Sequence, residues 1–492
     1  MREILTLQLG NLSNYAATHF WNTQESYFTY GEQGESAVDH NVHWRPGIGA
    51  DGTETFLPRT VIYDLKGGFG ALRKINPLYD GSSGSGTAAA SLWSGEPAIH
   101  KQQPLEPSAY QQSLDAGTEP ARLTTSQVRY WSDYSRTYFH PKSAVQLYDF
   151  ELHSSIRPFE SFSMGTELFS SLDKEQDIVD RDWRPFVEEC DLMQGMQVFT
   201  ALDDAWGGFG SSYLEQLRDE YPKSCIWVWG AQSPMTGVPR EKRQLRMANT
   251  AQSLCQGYSQ ASILVPLALP DETSSGPLPR LDRSSPWHIS ALFAAMAESA
   301  LIPTRLKDHI GGQVSMGDMA ESLNTSGNQT LVSAGMSPFP EPADIDNEKE
   351  AISLFHIGTA AGTKTKDRRN RIFGQITGCR GPLPTDKTSE NSHQDRIGNP
   401  VIKKYATSTE FPLLDSYPHI YTSGGGKTTM PIHTFLRTDT SICVQLRALR
   451  AQAARRLIGL DEREGLSNGI AEMADAYQDD WSSGSDYDDD DI

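Results

Sequence analysis

The chain has 492 residues, 37% hydrophobic and 22% charged, and a formal net charge of -20. That length predicts two or three domains, and a mean hydropathy of -0.49 predicts a globular protein with room for a real core. The excess of 63 acidic over 43 basic residues argues against direct nucleic-acid binding, because phosphate contacts need clustered Lys and Arg. Cys190, Cys225, Cys255, Cys379 and Cys443 contain no CxxC pair, which argues against a zinc site or a secreted disulfide framework and for reduced thiols packed as small hydrophobes.

Residues 3–9 alternate, with Leu5, Leu7 and Leu9 on one side and Ile4, Thr6 and Gln8 on the other, as in a strand. Gly10 ends the run, and Ser13 or Asn14 can cap a helix that pairs Ala16 with Phe20 and Ala17 with Trp21. "RTVIYDL" at 59–65 reads as a second strand before the turn Gly67-Gly68. Residues 76–125, with "GSSGSG" and four prolines from Pro97 to Pro120, read as a loose insertion. No strand leads into that "GSSGSG", so low complexity is preferred to a phosphate cradle.

"GMQVFTAL" at 195–202 reads as a strand, "DDAWGGFGSS" as a Gly-rich turn, "SYLEQLRDEY" as a helix ended by Pro222, and "SCIWVWG" as a buried strand. This is a βαβ unit of the doubly wound type, with glycines where a phosphate would meet a helix N-terminus. A Pro/Ser/Gly linker follows Pro270, and Ser285-Pro286 start the helix "WHISALFAAMAESAL". A polar loop is expected near 378–400 and a helix at 443–460. From Glu472 to the end there are nine acidic residues and no Lys or Arg, so 472–492 are expected to be disordered, with Trp481 as a candidate anchor for a basic partner.

The expected fold is α/β. Residues 1–270 form a doubly wound, mostly parallel sheet with strand 3–9 central and the insertion at 76–125. Residues 280–460 form a smaller α+β domain, and 461–492 an acidic tail. The opening "REILTLQLG" lacks the long apolar run of a secretory signal, and "ILVPLAL" and "ALFAAMA" are too short to span a bilayer. The expectation is a cytosolic protein without a transmembrane segment.

Catalytic patterns are sparse. There is no HExxH, no nucleophile elbow and no His/Asp cluster at metal spacing. "SGGGKTT" at 423–429 resembles half a P-loop, but Tyr421 stands where the first Gly is needed, and an ordinary loop is preferred. "KTKDRRNR" at 364–371 is read as a solvated loop in preference to a contact with anionic lipid or another protein's acidic face. The turns Gly10–Asn14 and Gly207–Ser212 each suit a phosphate or a plain tight βα connection.

Several segments carry a family resemblance. "MREILTLQLGNLSNYAATHFW" is similar to the opening of tubulin, with its GQCGN loop and a helix ending in FW. "PRTVIYDL" resembles PRAVLVDLEPG, "EECDLMQGMQ" resembles ESCDCLQGFQ, "LRDEYPK" resembles IREEYPD and "NTAQSL" resembles NATLSV. The glycines after the second strand sit where tubulin has GGGTGSG. The opening, the helix "WHISALFAAMAESALIPTR" and "ESLNTSG" resemble the Misato family more closely still. That family comprises tubulin-related eukaryotic proteins linked to mitochondrial distribution and mitochondrial DNA inheritance.

The resemblance implies a tubulin-like fold and, for any guanine nucleotide, contacts from Gly10, Asn11, Ser13, Asn14, Asp64, Gly207, Gly208, Gly210 and Ser211. It also exposes departures. Leu12 and Ser13 replace Cys and Gly, Lys66 reverses a charge near the phosphates, and Phe209 replaces a Thr. "VPLALP" at 265–270 lacks the base-reading Asn of tubulin, and the second such Asn falls near Trp287 or His288. GTP or GDP is therefore expected to be held weakly or structurally, with little or no hydrolysis. The implied role is an organising or adaptor protein with protein partners at the mitochondrial surface or cytoskeleton, cytoplasmic and on the outside of mitochondria. The alternatives are a filament-forming GTPase, for which Asp318 and Glu321 are candidate acids, and a tubulin-binding chaperone-like protein.

Overall fold

The computed structural model describes residues 2–29, 35–48, 54–72, 105–120, 123–269, 278–307, 314–338, 351–357, 370–382, 400–421, 428–456 and 460–478. The elements run β1 (Glu3–Leu9), α1 (Asn11–Glu25), β2 (Trp44–Ile48), β3 (Glu54–Pro58), β4 (Thr60–Lys66), α2 (Ala109–Asp115), β5 (Ala144–Glu151) and α3 (Phe162–Gln176). Next come α4 (Arg184–Glu188), β6 (Met193–Ala201), α5 (Ala205–Glu220), β7 (Ile226–Ala231), α6 (Arg240–Gln260), β8 (Ile263–Leu267), α7 (Pro286–Leu301) and α8 (Met316–Leu323). The chain closes with β9 (Ser333–Pro338), β10 (Ile352–Ser353), β11 (Ile372–Arg380), β12 (Val401–Thr407), β13 (Phe411–Pro412), β14 (Thr429–Met430), β15 (Ile432–Asp439), α9 (Thr440–Arg456) and α10 (Leu460–Asp475).

The first sheet has six strands in the order β5-β4-β1-β6-β7-β8, and every pair in it is parallel. β1 is central, as the expected fold requires. Ile4 packs on the face that also carries α1 and α7. Leu5, Leu7 and Leu9 point to the other face, toward side chains of α3, α5 and α6. An all-parallel sheet must be covered on both faces, which explains why Thr6 and Gln8 are buried as well. Gln8 meets that burial by donating to Thr60 Oγ1 at 2.8 Å. The chain reverses its direction of travel across the sheet between β1 and β6, where ligands of doubly wound folds bind.

The second sheet runs β10-β9-β15-β11-β12. Helix α7 lies between the two sheets and is buried from Trp287 to Leu301. Its apolar side chains join Ile4 and Ile62 of the first sheet and Met336, Ile376 and Leu436 of the second in one core. The backbone stitches the sheets as well, through Leu264 N–H to Thr330 O and Ala268 N–H to Leu354 O.

One charged residue on α7 is fully buried. Glu298 accepts from Arg305 Nη2 at 2.6 Å, from Tyr27 Oη at 2.7 Å and from Arg380 Nη1. Arg380 in turn donates to Tyr27 Oη at 2.8 Å and to the Glu410 carbonyl at 2.9 Å. Burial alone would raise the Glu298 carboxyl, but Arg380 and Arg305 outweigh it and hold the group below the usual carboxylate range. The cluster ties the end of α1, helix α7 and strand β11 together.

Three local expectations need correction. The stretch 76–125 is not loose throughout. Ser108 caps α2, whose Tyr110 is buried and donates to Asp415 Oδ1 at 2.9 Å; residues 73–104, with "GSSGSG", lie outside the described residues. The polar loop expected from 378 begins instead as the end of β11. The tail expected over 461–492, with disorder from 472, is helical through Asp475. Ile470, Met473, Ala474 and Tyr477 are buried at the spacing of one helix face, and Tyr477 Oη both donates to Leu331 O and accepts from Leu331 N–H. Acid counting overlooked that stripe. Trp481 and the rest of 479–492 lie outside the described residues, as do most of "KTKDRRNR" and "SGGGKTT".

Replacing Glu298 by Gln should cost about 3–5 kcal/mol, because two buried guanidiniums lose their counter-charge. Urea unfolding followed by circular dichroism measures this, and a loss under about 1 kcal/mol would mean the cluster is not needed for the join.

Candidate functional site

The site expected of a doubly wound fold lies at the carboxyl ends of β1, β4 and β6. Gly10 caps α1 with φ +86°, a conformation that suits Gly. Asn11 opens α1 and lines a cavity of about 240 Å³. Ser13 and Asn14 are buried behind it. Asn14 donates to Asp64 Oδ2 at 2.9 Å and to Tyr63 O at 3.2 Å.

Asp64, fully buried at the end of β4, also accepts from Trp131 Nε1 at 2.9 Å and from Leu65 N–H at 2.8 Å. Desolvation pushes its carboxyl up to about 6, against the opposing pull of those donors. Trp131 belongs to a segment that packs over α1 with Tyr134, whose hydroxyl donates to Tyr15 O at 2.8 Å. Asp64 is thus committed to the protein's own donors.

The glycines of the second motif behave differently from a cradle. The expected Gly-rich turn is helix: α5 begins at Ala205, so Gly207, Gly208, Gly210 and Ser211 lie within its first two turns and are buried. A Cβ on Gly208 would collide with the Phe162 carbonyl of α3, and one on Gly207 with the Ser253 hydroxyl of α6. On Gly210 it would come within 2.8 Å of Thr200 Oγ1 of β6. Gly165 of α3 meets the Ala205 carbonyl in the same way. These glycines let α3, α5, α6 and β6 approach closely. Ser211 Oγ donates to Gly207 O inside the helix. Phe209 packs in the core among Tyr63, Phe169 and Tyr213, with the Trp206 ring 5.5 Å away.

The connection between β6 and α5 is Leu202-Asp203-Asp204, which sequence reading passed over as part of the turn. Asp204 is the N-cap of α5, and its Oδ1 accepts from Trp206 N–H at 2.8 Å. Asp203 Oδ2 accepts from Ser233 N–H at 3.0 Å and lies 3.7 Å from Arg246 Nε. Burial raises both carboxyls; Asp204, with like-charged Asp203 beside it, reaches about 7. The Trp206 indole lies directly against Gly10, where a Cβ would have to be. The sequence signal was present: two Asp between an apolar strand and a helix mark an N-cap.

A nucleotide's polyphosphate does not fit these residues. The helix N-terminus that would attract an anion is already capped by the Asp204 carboxylate. A phosphate placed there would face two carboxylates, and Trp206 covers the close approach that Gly10 would offer. Lys66 is exposed and lies 4.0 Å from Glu151. The positions aligned with base recognition are also committed. Val265 lies buried in β8, Trp287 Nε1 donates to Ser416 O at 3.1 Å, and His288 Nε2 is 3.2 Å from Thr125 Oγ1. Asp318 serves as the capping-box partner of Ser315 at the start of α8.

Comparison with known proteins agrees with the fold. A Misato Segment II tubulin-like domain model matches residues 2–116, and a tubulin domain model matches residues 120–306. The chain is 56% identical to Protein DML1 of Gibberella zeae over 100% of both chains. It is 45% identical to Protein dml-1 of Neurospora crassa, again over 100% of both. Protein DML1 of Yarrowia lipolytica is 28% identical over the full length of each.

Two substitutions test this geometry. Gly208→Ala should destabilise by about 1–3 kcal/mol through overpacking of α3 on α5, read by chemical denaturation. For Asp64 the folded carboxyl titrates above its unfolded value of 3.8. The folded state therefore holds its proton longer, and stability falls as pH rises from about 4 to about 6. Relative to Asp64→Asn, the wild type should lose up to about 3 kcal/mol between pH 4 and pH 7. A pH-independent difference would show that Asp64 titrates normally.

Proposed function

The chain belongs to the Misato family of tubulin-like proteins, and on that footing we propose that it is an organising or adaptor protein for mitochondrial partitioning and mitochondrial DNA inheritance, working without GTP hydrolysis. The observation that carries the second half is the corner where Trp206 covers Gly10 and Asp204 caps α5. GTP turnover in a doubly wound fold needs phosphates seated at helix N-termini, with donors free to receive developing charge. Here those donors are spent on the protein's own carboxylates. The mitochondrial half is supported by the family resemblance. Among the described residues no helix is long and apolar enough to cross a membrane, so the proposed attachment is to proteins on the outside of mitochondria or on the cytoskeleton, from the cytoplasm.

The test is direct. Protein purified without added nucleotide, denatured and analysed by chromatography should release far less than one guanine nucleotide per chain and should not hydrolyse added GTP. Depleting the protein from cells should leave daughters with uneven mitochondria and missing mitochondrial DNA. Stoichiometric GTP with steady turnover would point instead to a filament-forming GTPase. Normal mitochondrial partitioning after depletion would overturn the organelle role.

A further inference from the structure

The cavity between Asn11, Asp203, Asp204 and Trp206 is not simply a closed nucleotide site. We propose that it binds an organic cation, the guanidinium or ammonium group of a basic molecule, in the place where related folds hold a phosphate. The inference rests on the preceding reading that no polyphosphate occupies this corner.

The charge inventory of the walls comes first. Four carboxylates line the cavity (Glu151, Glu160, Asp203 and Asp204), against Lys242 and Arg246. The two cations are already engaged. Lys242 Nζ sits 2.6 Å from Glu160, and Arg246 donates to Pro234 O at 2.8 Å while lying 3.7 Å from Asp203 Oδ2. Lys66 lies 4.0 Å from Glu151, so three cations stand against four acidic groups and the surplus is one.

Asp203 carries the argument further. It is only 1% exposed, yet its Oδ1 has no hydrogen-bond partner among the described residues. An unpaired buried carboxylate oxygen is costly, and a charged donor entering the cavity would satisfy it. The indole of Trp206 and the ring of Phe159, 5.4 Å apart and edge to face, add aromatic surface on which a cation can rest.

The size and donor set narrow the ligand. About 240 Å³ is below the roughly 300–1,000 Å³ that holds a drug-sized molecule, and suits a single side chain or a small amine. Among the described residues there is no group of three or more His, Cys, Asp or Glu arranged to hold a metal ion. The chemistry therefore favours a planar or tetrahedral nitrogen cation that donates several hydrogen bonds. Its source is either a free amine or a basic side chain of a protein partner.

Calorimetric titration of the full-length protein separates the possibilities. The probes are agmatine, the peptide Gly-Arg-Gly with blocked ends, and GTP. Agmatine or the peptide should bind one per chain. A preference for the peptide assigns the site to a protein partner, and a preference for agmatine assigns it to a free amine. Asp203→Asn should weaken that binding at least tenfold, and circular dichroism shows whether the variant is folded. Asp204→Asn keeps an N-cap acceptor for α5 and should also weaken binding, which preserves the test if Asp203→Asn fails to fold. If neither cation binds, or if both folded variants bind as well as wild type, the proposal fails while the non-hydrolysing reading stands. If GTP binds one per chain in the cations' place, the proposal fails together with the reading that no polyphosphate occupies this corner, and the non-hydrolysing reading fails as well only if that GTP is turned over.

Discussion

A carboxylate shut off from water, Glu298, ties helix α7, the layer between the two sheets, to the end of α1 and to strand β11 of the second sheet. Helix α7 is buried on all sides because it is the layer shared by both sheets. A helix in that position needs a largely apolar surface all round, and "WHISALFAAMAESAL" supplies it, with His288, Ser290 and Ser299 as polar exceptions and Glu298 as the charged one. That charge is compensated by Arg305, Arg380 and Tyr27, each from a different part of the chain. Such a cluster is weak evidence for stability when compared with an apolar core, but it is selective. Only one docking of α1, α7 and β11 brings all its members together.

That rigid frame sets what can happen at the carboxyl ends of β1 and β6. The topology provides the site: an all-parallel sheet, a reversal of strand order, and two helices opening at the same corner. The residues at that corner are engaged with one another. Asp204 gives α5 the negative cap that a phosphate would give, and Asp64 takes donors from Asn14 and Trp131. Trp206 covers Gly10 with indole. Each of these groups is spent on a contact inside the chain. The same hydrogen bonds keep the corner folded without a ligand, and the proposed lack of turnover rests on them.

Much of this protein was legible in its residues. The alternation over 3–9, the βαβ signal from 195 to 230 and the segments resembling tubulin determined the sheet class and the central place of β1, because periodicity and turn chemistry are local. The helix after Ser285-Pro286 was equally clear. Tertiary structure alone decided how the glycines at 207, 208 and 210 are used. A Gly serves a phosphate or a helix crossing equally well in one dimension, and only the approach of Phe162 and Ser253 distinguishes them. The same holds for the end of the chain, where charge density hid the stripe from Ile470 to Tyr477 until α6 and α9 supplied a surface to bury it. Sequence alone determined β1, the βαβ unit and α7, whose signals are local. Which of their side chains meet a ligand and which meet each other was set by packing, because that depends on contacts between residues hundreds of positions apart.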